Sequence, residues 1–332
     1  MLKLNTYGVD EWRIMMKATR NCGICVGDVS WEDDGQELRL FLPTEFSFAE
    51  NIKYLSNAPN ECLWRIKDGR IYKALAIGDE TPVIELSSKE ENVMAIHFIG
   101  DTTPSSKSVR AAVVQYVWEW FDLDTNLLPF YHLAKTDLLL HKAVDSFYGL
   151  RNMGIPDLFE AICWGIIGQQ INLAFAYTLK RRLVETFGRH VECDGQQYWL
   201  FPTPHDIAAL KVEDLVALRM TVKKCEYIIG VARLMVEGKL SKELLVGAGD
   251  YKKAEKMLLQ IRGIGPWTAN YVLMRCIRIP SAFPIDDVGL HNAIKHVMGT
   301  KTKPTKEEII QLSARWTNWE SYATFYLWRL LY

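Results

Sequence analysis

Two neighbouring carboxylates, Asp286 and Asp287 in the stretch FPIDDVGL, follow an apolar approach and a proline and stand where a helix begins. One carboxylate is enough to cap such a helix, because a single side-chain oxygen satisfies a free amide of the first turn. The second is then available for other work. The dipole and unpaired amides of a helix start favour negative charge, so this position suits an anion that stabilises a cation better than it suits a general acid. Held beside a nucleotide sugar, such an anion would serve cleavage of an N-glycosidic bond, whose transition state gathers positive charge on the sugar ring. It could also orient the attacking water.

Roughly twenty residues upstream, IRGIGPWTANYVLMR interrupts a helical pattern with two glycines and a proline. The helical period runs to Ile261, Gly263 can supply a left-handed cap, and Pro266 fits the first turn of a following helix, where its missing N–H is no loss. Two helices joined by a very short turn result. The amides near Gly263, Gly265 and Thr268 then sit at a helix start with no side chain in the way, a site for a phosphate oxygen. A plain connection between helices would carry the same G-x-G. Trp267 and Tyr271 are four apart and share a helix face, which serves a hydrophobic core or the flat apolar walls that a flipped base requires.

Charge bears on the choice. The whole chain sums to -1, but residues 1–150 sum to -7 and residues 151–332 to +6. Between Lys252 and Arg278 six cations (Lys252, Lys253, Lys256, Arg262, Arg275, Arg278) face one anion, Glu255. That stretch is either a solvated helix face or a surface that neutralises phosphates.

With 332 residues, 49% hydrophobic and 24% charged, the chain can bury about two or three cores of ordinary domain size. No run approaches the roughly 18 to 20 apolar residues of a membrane span, and the start lacks the apolar segment of a signal peptide, so a cytoplasmic location without membrane contact is expected. Seven scattered cysteines suit reduced thiols rather than a disulfide framework. Cys22 and Cys25 have C-x-x-C spacing but no partner pair to complete a metal site, and the others form no iron–sulfur cluster pattern.

The elements that must position these residues come in two blocks. Residues 35–100 hold short strand-like runs (ELRLFL, RIYKALAI, PVIELSS, NVMAIHFIG) broken by turn residues, an antiparallel sheet with one covered face. Segments of helical period follow at 107–121, 125–147, 157–188, 205–238, 252–262, 266–278, 288–298 and 305–331. Strands first and helices after make an α+β chain: residues 1–28 unassigned, a β-rich domain over 29–105, and a helical body over 106–332 with the glycine corner at about 252–278.

The glycine corner, the aromatic helix and the aspartate beyond it resemble the helix-hairpin-helix, Gly/Pro-rich, catalytic-aspartate superfamily of DNA base-excision glycosylases. LFEAICWGIIGQQINLAFA, FPTPHDIAAL, MTVKKCEYIIGVARLMVEGKL and NWESYATFYLWRLLY further resemble its DNA-3-methyladenine glycosylase II family, over about residues 28–332. The resemblance implies a TATA-binding-protein-like sheet domain followed by two all-α subdomains with the active cleft between them. It implies Asp287 as the catalytic aspartate; Trp267, Tyr271 and Trp328 as walls of the base pocket; and Gly263, Gly265 and Thr268 as the amides that hold DNA phosphate. The carbonyls of Leu259, Ile261 and Ile264 correspond to a structural monovalent cation site, for Na⁺ or K⁺, with no cofactor needed for catalysis. Relatives that also cut the backbone carry a lysine where this chain has Trp267, so a monofunctional enzyme using water is expected. Where some relatives wedge a leucine into the gap left by the flipped nucleotide, this chain has Gln170, with Ile171 beside it. Gln169 and Gln170 stand in an apolar run and serve either DNA contact or buried hydrogen bonding. The expected partner is double-stranded DNA with alkylated bases, 3-methyladenine and 7-methylguanine among them, met by a monomer. A bifunctional glycosylase/lyase for oxidised purines and a non-catalytic DNA-binding protein are the competing readings.

Overall fold

The computed structural model describes residues 30–331 apart from 59 and 105. The Cys22/Cys25 pair and the unassigned start lie outside the described residues. Six strands, β1 (Trp31–Asp33), β2 (Glu37–Phe41), β3 (Arg65–Lys67), β4 (Arg70–Ala74), β5 (Val83–Ser87) and β6 (Val93–Phe98), form one antiparallel sheet in the order β1-β2-β6-β5-β4-β3. The register explains why alternation in the sequence identifies the covered face. Leu38 pairs with Ile96, Ile96 with Leu86 and Leu86 with Ile71, so one row of fully buried side chains crosses four strands. Helix Lys107–Phe121 packs against β2 and buries Val113, Val114, Val117 and Phe121. The α+β order expected from the sequence is borne out, and the core runs unbroken from the sheet (Leu38, Ile71, Met94) into the helices (Phe130, Ile162, Tyr326).

Four of the expected helical segments are interrupted, two of them for a legible local reason. The segment 157–188 is two helices, Leu158–Ile167 and Leu173–Phe187, because Gln170 turns left-handed (φ 57) and Asn172 caps the second helix by accepting from the Phe175 amide. The segment 125–147 likewise divides into Leu128–Ala134 and His141–Ser146, where the Asp137 carboxylate accepts from the amides of Leu139 and Leu140 and offers the backbone an alternative to the helix. Segments 205–238 and 305–331 are also interrupted, into Pro204–Ala208, Val212–Val216 and Val222–Val236, and into Lys306–Leu312 and Glu320–Arg329. An unexpected hairpin, β7 (Arg189–Cys193) and β8 (Gln196–Leu200), turns on Asp194 and Gly195, both at positive φ. It sets Cys193, Tyr198 and Leu200 against Ala74 and Val83 of the sheet. Among the described residues no helix is long and apolar enough to cross a membrane.

Candidate active site

The glycine corner forms as a hairpin of helices, Tyr251–Leu259 and Pro266–Val272. Gly263 takes φ +95, and a Cβ there would stand 2.2 Å from Cγ of Tyr227. The positive φ agrees with the left-handed cap expected of Gly263, and the Tyr227 ring packed beneath it adds a second requirement for glycine that the sequence did not show. Gly265 differs: a Cβ there meets nothing within 4 Å. It caps the second helix without a side chain, and the amides of Gly263, Gly265 and Thr268 donate to no protein acceptor among the described residues. They open onto a cavity of about 440 Å³ that Tyr227, Pro266, Trp267 and Asp286 also line. The Thr268 side chain itself is buried and accepts from Gln169 Nε2 at 3.1 Å, while the same amide donates to Gly263 O at 3.0 Å. Gln169 thus braces the hairpin from inside, the second of the two roles open to it. Gln170 is exposed, and Ile171 packs against the core.

Helix Pro266–Val272 continues into a π-turn over Leu273–Ile277, and the chain then returns to the aspartates. Asn270 ties the two motifs together. Its Oδ1 accepts from the Tyr251 hydroxyl (2.6 Å) and from the Phe283 amide (3.0 Å), while its Nδ2 donates to Glu255 (2.7 Å) and Pro266 O (3.0 Å). One buried amide thereby fixes both hairpin helices to the strand-like approach to Asp287.

Asp287 is the N-cap of helix Val288–Met298. Its Oδ1 accepts from the Leu290 amide and from Trp328 Nε1, each at 2.7 Å, and its Oδ2 accepts from Trp267 Nε1 at 2.8 Å. The division of labour expected from the sequence, one aspartate capping and its neighbour free, is corrected: Asp287 caps and also takes two indole N–H groups. Asp286 points to solvent and pairs with Lys306 at 3.0 Å. Three donors converge on one half-buried carboxylate, which orients it and satisfies a helix amide at the same time.

The rings around it form a layered wall. Trp267 stacks on Tyr271 (centroids 5.4 Å, 25° between planes), and Tyr271 faces Trp328 at 6.3 Å. Trp328 reaches this wall from the last helix, Glu320–Arg329, which packs against the helix that Asp287 opens. Burial pushes the Tyr271 hydroxyl up to about 12, so it stays protonated at neutral pH. Behind it Arg275, 7% exposed, donates Nη1 to that hydroxyl (3.2 Å) and Nε to Met153 O (2.6 Å). Arg278 likewise turns inward to Asp122, Asp124 and Glu119 O. Two of the six cations counted near the hairpin therefore support the fold; Lys252, Lys253, Lys256 and Arg262 are exposed.

Sequence reasoning missed Asn270, Tyr227 and Gly289. The last is conspicuous only in three dimensions, since a Cβ on Gly289 would fall 2.9 Å from Asp287 Oδ1 and 3.2 Å from Nε1 of Trp328. Gly289→Ala is accordingly expected to push the indole off the carboxylate and to slow turnover by about tenfold, the value of one charge-assisted hydrogen bond. Single-turnover rates of the two proteins check this, and equal rates would show that the Trp328 contact is dispensable.

Residues 163–318 match the family model described as HhH-GPD superfamily base excision DNA repair protein, and residues 45–162 match that of the 8-oxoguanine DNA glycosylase N-terminal domain. The chain is 51% identical over 304 residues to a Bacillus subtilis protein named DNA-3-methyladenine glycosylase, covering 92% of this chain and 100% of that one. It is 33% identical over 180 residues to DNA-3-methyladenine glycosylase 2 of Escherichia coli, covering 54% of this chain and 60% of that protein. In fold it is similar to a 3-methyladenine DNA-glycosylase from Archaeoglobus fulgidus, with a TM-score of 0.75, 23% identity, and coverage of 87% of this chain and 96% of that one. The chain therefore belongs to the DNA-3-methyladenine glycosylase family within the HhH-GPD superfamily of base-excision DNA repair proteins.

Proposed function

We propose that the protein is a monofunctional DNA glycosylase that extrudes an alkylated base from double-stranded DNA and releases it by hydrolysis. The observation that carries this reading is the Asp287 carboxylate, held by two indole N–H groups that belong to the aromatic wall itself. A base stacked on that wall presents its sugar beside the anion. The bond from C1′ to the base nitrogen breaks with its electron pair leaving on the base, so an alkylated purine that is cationic in DNA departs neutral and needs no acid. Electron-rich ring faces favour that cation before it leaves. Positive charge then develops on the sugar, Asp287 stabilises it, and water adds at C1′ with loss of a proton.

The hairpin supplies the hold on the strand. Free amides at Gly263, Gly265 and Thr268 suit a phosphate oxygen, with the exposed lysines adding charge nearby. A structural Na⁺ or K⁺ fits the carbonyl set in part: Leu259 and Ile264 O accept no hydrogen bond among the described residues, while Ile261 O already accepts from the Ile264 amide at 3.0 Å. Such an ion would add positive charge beneath the phosphate. Gln170, exposed at its turn, is the better placed of the two wedge candidates. The protein acts on DNA as a monomer in the cytoplasm.

A lyase reading fits the match to the 8-oxoguanine glycosylase N-terminal domain but lacks its nucleophile, since Trp267 stands two residues after Gly265. Borohydride reduction during turnover is expected to trap no protein–DNA adduct, and a stable adduct would reverse the assignment. Trp328→Phe keeps a ring and removes the donor to Asp287; release should slow by about tenfold with an unchanged spectrum of bases. A changed spectrum with unchanged rate, measured on methylated DNA, would mean that Trp328 reads the base rather than holding the aspartate.

A further inference from the structure

Between helices Leu158–Ile167 and Leu173–Phe187 the chain makes a tight turn over residues 168–172 with Gln170 at its exposed tip. Gln170 has φ 57, a left-handed conformation that costs a side-chain-bearing residue and that recurs at functional positions. Two other side chains hold the turn in place. Lys224, on helix Val222–Val236, is 8% exposed and donates Nζ to both Ile167 O and Gln169 O at 2.8 Å. Burial lowers its ammonium below the ordinary lysine range, which marks a charge placed there against its solvation preference. Gln169 reaches the other way, to Gly263 O and Thr268 Oγ1 of the phosphate hairpin. The turn is thus bonded on one side to a long helix and on the other to the hairpin. A surface loop with no positional task has no need of a buried ammonium bonded to two of its carbonyls.

We propose that Lys224 and Gln169 are positioning residues for nucleotide extrusion. They tie the turn to helix Val222–Val236 and to the hairpin, so that when the hairpin amides hold a phosphate the Gln170 side chain enters the stack and fills the space the extruded nucleotide leaves. Extruding a stacked base costs its stacking and pairing, and a wedge fixed in advance recovers part of that without first ordering a loop. This inference rests on the glycosylase reading.

The test uses the whole chain and one lesion in two settings. The first substrate is a duplex with 2-aminopurine beside the alkylated base, whose fluorescence rises on unstacking; the second is the same lesion in a single strand, with no duplex to open. Lys224→Met removes the donors at nearly constant length. It should lower both the fluorescence rise and the release from duplex by about tenfold and leave single-strand release within about twofold. Lys224→Arg, which restores donors, should recover most of the duplex rate. Gln169→Leu should show the same duplex defect and in addition weaken binding to undamaged duplex, because the hairpin loses its brace; it carries the test alone if Lys224→Met fails to fold. Equal losses on both substrates, or no rescue by Lys224→Arg, would overturn the clamp. A wild-type protein that releases nothing from either substrate would instead sink the glycosylase reading itself, which keeps the two failures apart.

Discussion

Replacing Asp287 with asparagine is expected to slow base release by about 10³-fold, the usual scale for removing one preorganised group that stabilises charge in a transition state. The structure adds a second consequence. Three donors meet this side chain: the indoles of Trp267 and Trp328 and the Leu290 amide. A carboxylate accepts all three, but an asparagine offers one oxygen and one NH₂, and whichever way it turns an N–H faces an N–H. The variant should therefore also lose about 1–3 kcal/mol of stability from an unsatisfied donor. Binding to undamaged duplex should stay close to wild type, because the phosphate grip proposed for the hairpin involves no atom of Asp287. Thermal melting and a binding titration separate these effects, and a large loss of duplex affinity would mean that Asp287 works chiefly in binding.

The second large effect distinguishes the two hairpin glycines. Gly263→Ala drives a Cβ into the Tyr227 ring at 2.2 Å from a backbone with φ +95. It is expected to destabilise the protein by about 1–3 kcal/mol, as overpacking does, and to weaken DNA binding through a distorted hairpin. Gly265→Ala meets no atom within 4 Å and has an ordinary φ of -91. It should melt like wild type yet bind every duplex about tenfold more weakly, whatever the sequence, because its methyl group occupies the space a phosphate oxygen would take. The salt slope of binding should fall by about one, the signature of a lost phosphate contact. Unchanged affinity for Gly265→Ala would remove the phosphate grip from the account.

Much of this arrangement could be read before any coordinates. Alternation in ELRLFL and NVMAIHFIG found the covered face of the sheet, because a period of two maps directly onto it. The glycines, proline and aromatics of the corner located the hairpin for the same kind of local reason. The hairpin of β7 and β8 also left a local signal, the Asp194–Gly195 pair between two strand-like runs, which the helical period on either side of it obscured. Helical period alone joins runs that the fold divides, because Asp137 and Asn172, whose carboxylate and amide oxygens end or start helices, sit inside an otherwise continuous pattern.

Pairings across long separations were not legible. Nothing in the order of residues says that Trp328 donates to a carboxylate forty-one positions earlier, that Asn270 joins three segments, or that Arg275 and Arg278 turn inward while Lys253 does not. Charge counting treats those cations alike, whereas packing divides them: Lys253 sits exposed on the first hairpin helix, Arg275 is buried behind Tyr271, and Arg278 turns in from the end of its helix. Trp267 shows the limit most clearly: its position argued against a lysine nucleophile, but its bond to Asp287 emerged only from the fold.

In the proposed reaction Asp287 drives hydrolytic release of alkylated bases from DNA held by the hairpin. Mass spectrometry can follow the free bases released from methylated duplex by wild type and by Asp287→Asn at equal bound fractions. Expected are 3-methyladenine and 7-methylguanine in the wild-type supernatant and about 10³-fold slower appearance with the variant. Release at the wild-type rate by Asp287→Asn would contradict this role of Asp287.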